Sequence, residues 1–226
     1  MTGQEVYDIL VSRNVTRLFH ANSVKTSLSL VGLGGLASRE LVDSSGLAQT
    51  NQITDSIDRK YGIWGDVFMD TVDIHQRVSD RNKYGPVLFV MDVAVLRTLP
   101  ATAQVLITRL NPSKWDSTSS DAERYFLSIA DLMAGLDIGN FDQMLVVKTN
   151  DKVVPFGSHL QAVTLDEPRL STGKGQEFND AEAGLNAALL AKGIGIKVSQ
   201  RLCSPCGCTS SYSAPATRIP WFYGIR

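Results

Sequence analysis

The sequence predicts an α+β fold, with a sheet of many short strands and helices mostly at one end of it. Short apolar runs of strand length recur along the chain and are separated by turn residues. Segments with helical periodicity are fewer and do not alternate one for one with the strands. This arrangement differs from repeated βαβ units and is typical of α+β proteins.

Length and composition fit one large domain, or one domain with an appendage. The chain has 226 residues, of which 43% are hydrophobic and 20% are charged, so a core can form without disulfides. We place the domain at residues 1–178, and a C-terminal helix with an extended tail, packed on it, at 179–226. The net charge of −1 excludes a broad basic surface for duplex DNA. A small substrate or a short single-stranded nucleic acid is compatible with it.

We expect no signal peptide, because residues 1–13 carry Glu5 and Asp8 and no apolar run of the required length, and no stretch approaches the roughly 18–20 apolar residues that a membrane span needs. We therefore expect a cytoplasmic protein without membrane contact. Its three cysteines, Cys203, Cys206 and Cys208, share one C-terminal loop. Such spacing can bind zinc, but a closed zinc site needs a fourth ligand and no histidine lies nearby in sequence. Free thiols are the favoured interpretation, and no metal site is assigned.

The first part of the chain predicts a helix, a strand and a second helix. Residues 3–13 carry apolar residues at helical spacing. Residues 15–21 alternate between apolar and polar, which indicates a strand. Asn22 has a side chain suited to an N-cap, for a helix that continues through Val31 and ends at Gly32.

The middle of the chain predicts a polar loop followed by buried strands. Residues 36–39 follow a glycine pair and are typical of a short extended segment. Residues 43–60 are rich in Ser, Thr, Asn and Asp, and we expect a loop there with a short helix at its end. Strands are expected at residues 66–70 and 86–96. The run Val87–Met91 is the most hydrophobic of the chain and predicts a central strand.

The second half of the chain continues the same pattern. Strands are predicted at residues 104–110, 144–148, 153–156 and 160–165, and helices at 121–133 and 180–192. A polar loop is expected at 113–120 and a linker at 168–178. The residues after Gly193 are rich in Ser, Pro and aromatics, and we expect an extended tail.

Two sets of motifs carry a resemblance to a known family. Leu18–Val24 (LFHANSV), followed by Gly35–Arg39 (GLASR), resembles the opening of DarT-type ADP-ribosyltransferase toxins. In that family a strand ending in Tyr-His leads into a helix and then into Gly-Leu-Leu-Ser-Arg. Further along, Asp142–Val146 (DQMLV) resembles the family's Ala-Glu-Phe-Leu-Val strand, whose glutamate is catalytic. The resemblance covers roughly residues 15–166.

The resemblance implies an ADP-ribosyltransferase-like fold, with a split mixed β-sheet core and flanking helices, and NAD as co-substrate. His20 would hydrogen-bond an NAD ribose, with Asn22 and Ser23 helping from the following loop. Gly35 would let the backbone approach the nicotinamide amide. Leu36, together with Phe68 on the early strand, completes the expected NAD site.

The catalytic position in this resemblance is held by Gln143. Transfer from NAD passes through an oxocarbenium-like state, which a carboxylate near the ribose stabilises. A glutamine keeps a hydrogen bond but lacks the charge, so the resemblance implies an inactivated form that Gln143→Glu would restore. The alternative is an ordinary polar residue, with the acid supplied by Glu167 or Glu177. Arg77 and Arg81 lie where the family has a catalytic arginine that serves the phosphates or the acceptor, although a solvated face is equally expected.

The acceptor side departs from the family pattern. Asn111 matches the asparagine of a Thr-Asp-Gly-Asn-Ala segment, but Arg109 and Leu110 replace its Asp-Gly, and Asp70–Ile74 replaces an Asn-Pro-Arg segment. These departures weaken the case for the DNA specificity of DarT enzymes. They favour the related CmdT-like toxins of phage-defence systems, which modify messenger RNA.

Residues 113–142 would form the loop that recognises the acceptor. Trp115, Tyr125 and Phe126 could each stack on a base, a contact worth roughly 1–3 kcal/mol on single strands. Packing in the core is the alternative for all three, and for Phe126 it is favoured.

We therefore expect a toxin that transfers ADP-ribose to a base of single-stranded RNA or DNA, with RNA favoured. The resemblance implies a cognate antitoxin protein as partner, with or without a chaperone. Two alternatives stay open. One is a transferase that acts on protein or on a small molecule, and the other is a non-catalytic NAD-binding or interaction module.

Overall fold

The computed structural model describes residues 1–74, 84–168, 170, 175–202 and 207–225. Its strands, in chain order, are β1 (Arg17–Asn22), β2 (Gly35–Ala37), β3 (Val67–Met69), β4 (Val87–Asp92), β5 (Gln104–Thr108), β6 (Tyr125–Phe126), β7 (Leu145–Lys148), β8 (Val153–Pro155), β9 (Leu160–Asp166) and β10 (Val198–Arg201). Its α-helices are α1 (Gly3–Ser12), α2 (Val24–Leu33), α3 (Arg39–Ser44), α4 (Asp55–Lys60), α5 (Asp121–Arg124), α6 (Ile129–Gly135), α7 (Gln176–Ala191), α8 (Cys208–Ser213) and α9 (Arg218–Tyr223). Helices and strands are mixed without βαβ alternation, so the predicted α+β class is confirmed.

One four-stranded sheet has the order β1-β4-β9-β10 and is mixed, since β9 and β10 run parallel and the other neighbours antiparallel. Strand β4 lies between β1 and β9, and Val87–Met91 is buried along its whole length. A strand covered on both faces is apolar at every position rather than at alternate ones. The prediction of a central strand there is confirmed.

The other four-stranded sheet is antiparallel and has the order β3-β7-β5-β6. A single bridge between Phe19 on β1 and Asp70 after β3 links it to the first sheet. In this bridge the Phe19 N–H donates to the Asp70 carbonyl at 2.9 Å, and the Asp70 N–H donates to the Phe19 carbonyl at 2.8 Å. A shorter pair, β2 with β8, forms a third sheet. The contact between the two large sheets positions the site described below.

Helices cover this core from several directions. Helix α2 packs against α7, and α9 packs against both. Their buried faces carry apolar side chains such as Leu30, Leu185 and Phe222. Helix α1 begins with a capping box, in which Thr2 and Glu5 satisfy each other's backbone N–H groups. Among the described residues, no helix has both the length and the apolar character needed to cross a bilayer.

Two predicted elements have boundaries that differ from the prediction because a polar side chain takes over the backbone. The strand predicted at residues 86–96 stops at Asp92, whose carboxylate accepts a hydrogen bond from the Ala94 N–H at 2.8 Å and starts a 3₁₀ helix, Val93–Thr98. The helix predicted from Asn22 begins one residue later. Ser23 is its N-cap, while Asn22 ends β1.

The single helix predicted over residues 121–133 is wrong. Tyr125 and Phe126 form the short strand β6, which pairs with β5, and they separate helices α5 and α6. Burying two aromatic side chains in the sheet outweighs helix propensity at these positions. The extended tail expected at the C-terminus is also wrong, because α8 and α9 form there around buried Tyr212, Phe222 and Tyr223.

Candidate functional site

An open cleft lies where the two large sheets meet. Its empty space, which includes open solvent at the mouth, is about 920 Å³. One wall comes from the ends of β1 and β3, a second from segment 49–66 with helix α4, and a third from residues 111–113 and Met144. The aromatic side chains in its lining are Trp64, Phe68 and Tyr84.

His20 lies in the first wall of the cleft. Its Nδ1 is 2.8 Å from the carbonyl oxygen of Phe68. A carbonyl only accepts, so Nδ1 carries the proton in the neutral ring and Nε2 is left as an acceptor. Burial lowers the pKa of His20, and the nearby Arg39 lowers it further, against the effect of the Phe68 hydrogen bond. His20 is therefore neutral near pH 7 and can accept a hydrogen bond from a ligand hydroxyl.

Asn22 and Ser23 follow His20 but have different surroundings. Asn22 lines the cleft, and its Nδ2 donates a long hydrogen bond, 3.4 Å, to Nε2 of His20, which a ligand hydroxyl would have to replace. Ser23 is fully buried beside the cleft, and its hydroxyl donates to Thr50 Oγ1 at 2.7 Å. Ser23 thus ties the start of α2 to the segment that forms the second wall.

Arg39 joins the cleft from the start of α3. Its guanidinium pairs with Asp55 at 2.7 Å and donates to the Thr50 carbonyl at 2.9 Å. Its Nη1 lacks a hydrogen-bond partner among the described residues. The guanidinium carbons of Arg39 and Arg59 lie 5.3 Å and 3.9 Å from the centroid of the Trp64 ring. These contacts fix the polar segment 50–59 against the body of the protein.

Three carboxylates also line the cleft, namely Asp58, Asp66 and Asp70. Burial and, to a lesser extent, the negative charge of Asp55 raise the pKa of Asp58 to about 7, against the opposing effect of Arg39. Burial also raises the pKa of Asp66, although its ion pair with Lys148 at 3.3 Å lowers it. A partly buried carboxyl that titrates near neutral pH in a cleft is a candidate proton acceptor or donor.

The side chain of Gln143 lies outside the cleft lining, although its neighbour Met144 belongs to it. Gln143 is 7% exposed and closes the loop after α6. Its Oε1 accepts from the Asp137 N–H at 2.8 Å, and its Nε2 donates to the Gly135 carbonyl at 2.9 Å. The second bond needs an amide, because a carboxylate has no proton to donate.

Gly35 and Leu36 lie in β2, outside the cleft lining. A Cβ on Gly35 would come within 2.5 Å of the Val154 carbonyl, so close pairing with β8 explains this glycine. Leu36 is fully buried in the core. Arg77 and Arg81 lie outside the described residues. The other acids considered from the sequence, Glu167 and Glu177, are not in the cleft lining.

The aromatic side chains expected to stack on an acceptor base are buried in the core. Trp115, Tyr125 and Phe126 are 6%, 4% and 2% exposed. Trp115 donates its indole N–H to the Leu110 carbonyl at 2.8 Å and packs edge-on against Tyr61 and Tyr125. As they stand, these rings cannot receive a base, and core packing was the correct interpretation. Cys208 is a buried free thiol, and Cys203 and Cys206 lie outside the described residues.

The structure thus brings together three of the nominated residues, His20, Asn22 and Phe68, and adds Asp58 and Trp64, which sequence reasoning missed. The available signal for Asp58 was the spacing Asp55-x-x-Asp58 beside a helix start. This signal is weak, because acids in a first helical turn usually serve the helix itself. Asn111, nominated for the acceptor side, also lines the cleft.

No protein-family model matches this sequence, and no curated protein is significantly similar to it.

Proposed function

We propose that the chain is an NAD-dependent ADP-ribosyltransferase of the toxin type, built on an ADP-ribosyltransferase-like split sheet. The observation that carries the proposal is the cleft, in which a neutral His20 faces the same space as Asp58, Asp66 and Asp70. His20 Nε2 accepts a ribose hydroxyl, as the resemblance of residues 18–24 implies.

The charges of the cleft suit the chemistry of NAD. The nicotinamide ring of NAD⁺ is cationic, and the ribose becomes cationic as its glycosidic bond breaks. Carboxylates that are held close by in a site of low dielectric stabilise such charge. Arg39 lines the cleft, and its positive charge suits the anionic pyrophosphate. In this proposal Gln143 fixes the loop before β7, and a cleft aspartate supplies the charge that the resemblance assigns to glutamate.

We further propose that the acceptor is a base of single-stranded nucleic acid, with RNA ahead of DNA. Tyr84, in the cleft, replaces the buried aromatics as a surface for a base, while the ring of Trp64 is covered by the Arg59 guanidinium. The exposed side chains of Arg59 and Lys60 on α4 lie next to this wall and can contact a phosphate. A cognate antitoxin would be the partner that keeps the enzyme harmless.

A second candidate is a transferase that modifies protein or a small molecule. The cleft itself carries three carboxylates, which repel a polyanion, and the aromatics of the predicted acceptor loop are buried. Incubation of the chain with labelled NAD and separate pools of RNA, single-stranded DNA and protein distinguishes the two candidates by which pool takes up label.

NAD⁺ should bind more tightly than NADH, whose nicotinamide ring is neutral, because the cleft carboxylates attract the positive ring. Titration calorimetry at about pH 8, above the pKa of about 7 of Asp58, measures both dissociation constants, and His20→Ala should weaken both by about tenfold, the effect of one lost hydrogen bond. Equal affinity for the two forms would contradict the charge argument. Absence of binding by either form would overturn the proposed function.

A further inference from the structure

Asp58 differs from the other two carboxylates in the cleft by its lack of partners. Asp66 is paired with Lys148, and Asp70 is buried and engaged in interactions of its own. Among the described residues, none forms a hydrogen bond or an ion pair with the carboxylate of Asp58. Half-buried in the wall of an open cleft, it is the group that is free to accept a proton from a bound molecule.

The backbone that carries Asp58 is held in place on both sides. Asp55, one turn earlier on α4, is fixed by its ion pair with Arg39. Tyr61, just after α4, donates its hydroxyl proton to the Trp115 carbonyl and packs edge-on against the Trp115 ring. A reactive group is useful only where its support is rigid, and these contacts provide that support.

On the basis of the proposed function, we propose that Asp58 is the general base that removes the proton from the acceptor during transfer. The bond between ribose C1′ and the nicotinamide nitrogen breaks, and its electron pair neutralises the pyridinium ring. A nitrogen or oxygen lone pair of the acceptor forms the new bond to C1′. The proton that this atom loses passes to the Asp58 carboxylate and then to water through the open mouth of the cleft.

The surroundings of Asp58 suit it to this role at neutral pH. Burial raises its pKa to about 7, so it is substantially ionised near pH 7 and still basic enough to hold a proton. The charged groups around it come from its own helix, from α3, from the first and second walls of the cleft and from the 3₁₀ turn Pro112–Lys114, which packs against α4. They are Asp55, Arg59, Lys60, Arg39, His20, Asp66, Asp70 and Lys114.

The test compares NAD-dependent transfer by the unmodified chain with transfer by Asp58→Asn, Asp58→Glu and the control Asp43→Asn. Asp43 is an exposed carboxylate 3.7 Å from Arg59, so its removal changes nearby charge by the same amount. For the unmodified chain, kcat/KM should fall about tenfold per pH unit below about pH 7, where Asp58 is protonated. Asp43→Asn should keep this profile.

Asp58→Asn should transfer about 10²- to 10⁴-fold more slowly and lose the dependence on pH, while still binding NAD, with the weaker affinity that the two remaining cleft carboxylates give. Asp58→Glu keeps a carboxyl group and should restore part of the rate together with the pH dependence, which separates chemistry from a folding defect. If the unmodified chain transfers and Asp58→Asn keeps its rate and profile, Asp58 is not the base, although the proposed function stands. If the unmodified chain neither binds nor consumes NAD, the proposed function fails and the role of Asp58 fails with it.

Discussion

At the scale of single residues, the hydrogen-bond partners of a side chain decide which of two roles it has. His20 and Gln143 were both nominated from short motifs, yet their surroundings differ. His20 lines an open cleft, where its Nε2 has only a long 3.4 Å hydrogen bond from the Asn22 amide, whereas Gln143 uses both ends of its amide inside a loop. A motif in the sequence shows which residue type is present, but it does not show which partners tertiary packing supplies.

Gln143→Glu is expected to destabilise the protein rather than to activate it. The new carboxylate would face the Gly135 carbonyl without a proton between them, at a cost of about 1–3 kcal/mol for a buried unsatisfied acceptor. The decrease in the free energy of unfolding should be smaller at acid pH, where a protonated glutamate can donate again. Urea unfolding at several pH values measures this free energy, with the exposed Gln104→Glu as control.

The same variant distinguishes two hypotheses for position 143, a replaced catalytic glutamate and a structural glutamine. A rise in NAD-dependent labelling in Gln143→Glu, with toxicity on expression, would show that a catalytic glutamate had been replaced. Labelling that stays at the level of the unmodified chain would leave the carboxylate chemistry to the cleft aspartates.

At the scale of elements, local patterns predicted β1, β4 and β7 well because burial on one or both faces imprints a period on the sequence. The pairing of Phe19 with Asp70 could not be predicted in this way. It joins residues far apart in sequence, and it depends on how two sheets meet. The cleft lies at this junction, so the sequence could suggest His20 but not the aspartates opposite it. Asp58 resembled any solvated acid in a polar loop, because its burial comes from tertiary packing.

The C-terminal helices are tied to the sheet by a polar cluster at the end of β9. Asp166 is fully buried and accepts hydrogen bonds from the Tyr212 hydroxyl at 3.0 Å and from Nε of Arg201 at 2.6 Å. The Tyr223 hydroxyl donates to the Asp166 backbone carbonyl at 2.6 Å. Burying an ionised carboxylate requires such partners, and the sequence pattern alone does not indicate them.

Tyr212→Phe should therefore lower the free energy of unfolding by about 1–3 kcal/mol, because it leaves Asp166 with one donor fewer in a buried position. Urea unfolding gives the difference. Tyr7→Phe is the matched control, since the Tyr7 hydroxyl makes no hydrogen bond to the described residues and its ring lies 5.2 Å from the Arg97 guanidinium carbon. Equal losses in both variants would show that the hydroxyl of Tyr212 contributes little to holding α8 on the sheet.

At the scale of the whole molecule, an almost neutral chain gathers three carboxylates and a neutral histidine in one cleft between its sheets. Such a site is held together at some cost, because each carboxyl would be better solvated in the unfolded chain. The structure tolerates this cost through packing elsewhere, which is a common property of functional sites. The cost should therefore be visible as a dependence of stability on pH.

Asp58→Asn should stabilise the protein in alkaline solution and not in acid. The pKa of Asp58 is raised from 3.8 to about 7 on folding, so between these values the folded chain binds more protons than the unfolded chain. The contribution of Asp58 to stability consequently falls as the pH rises through this window, and it stays low above about pH 7. Replacing Asp58 by asparagine removes this loss.

Thermal melts should give a higher midpoint for the variant above about pH 7, and the smallest difference below about pH 4, where the acid is neutral in both states. Asp43→Asn, at an exposed site, should show no such crossover. A variant that melts below the unmodified chain throughout this range would mean that the Asp58 carboxylate stabilises the fold, and that burial does not set its pKa.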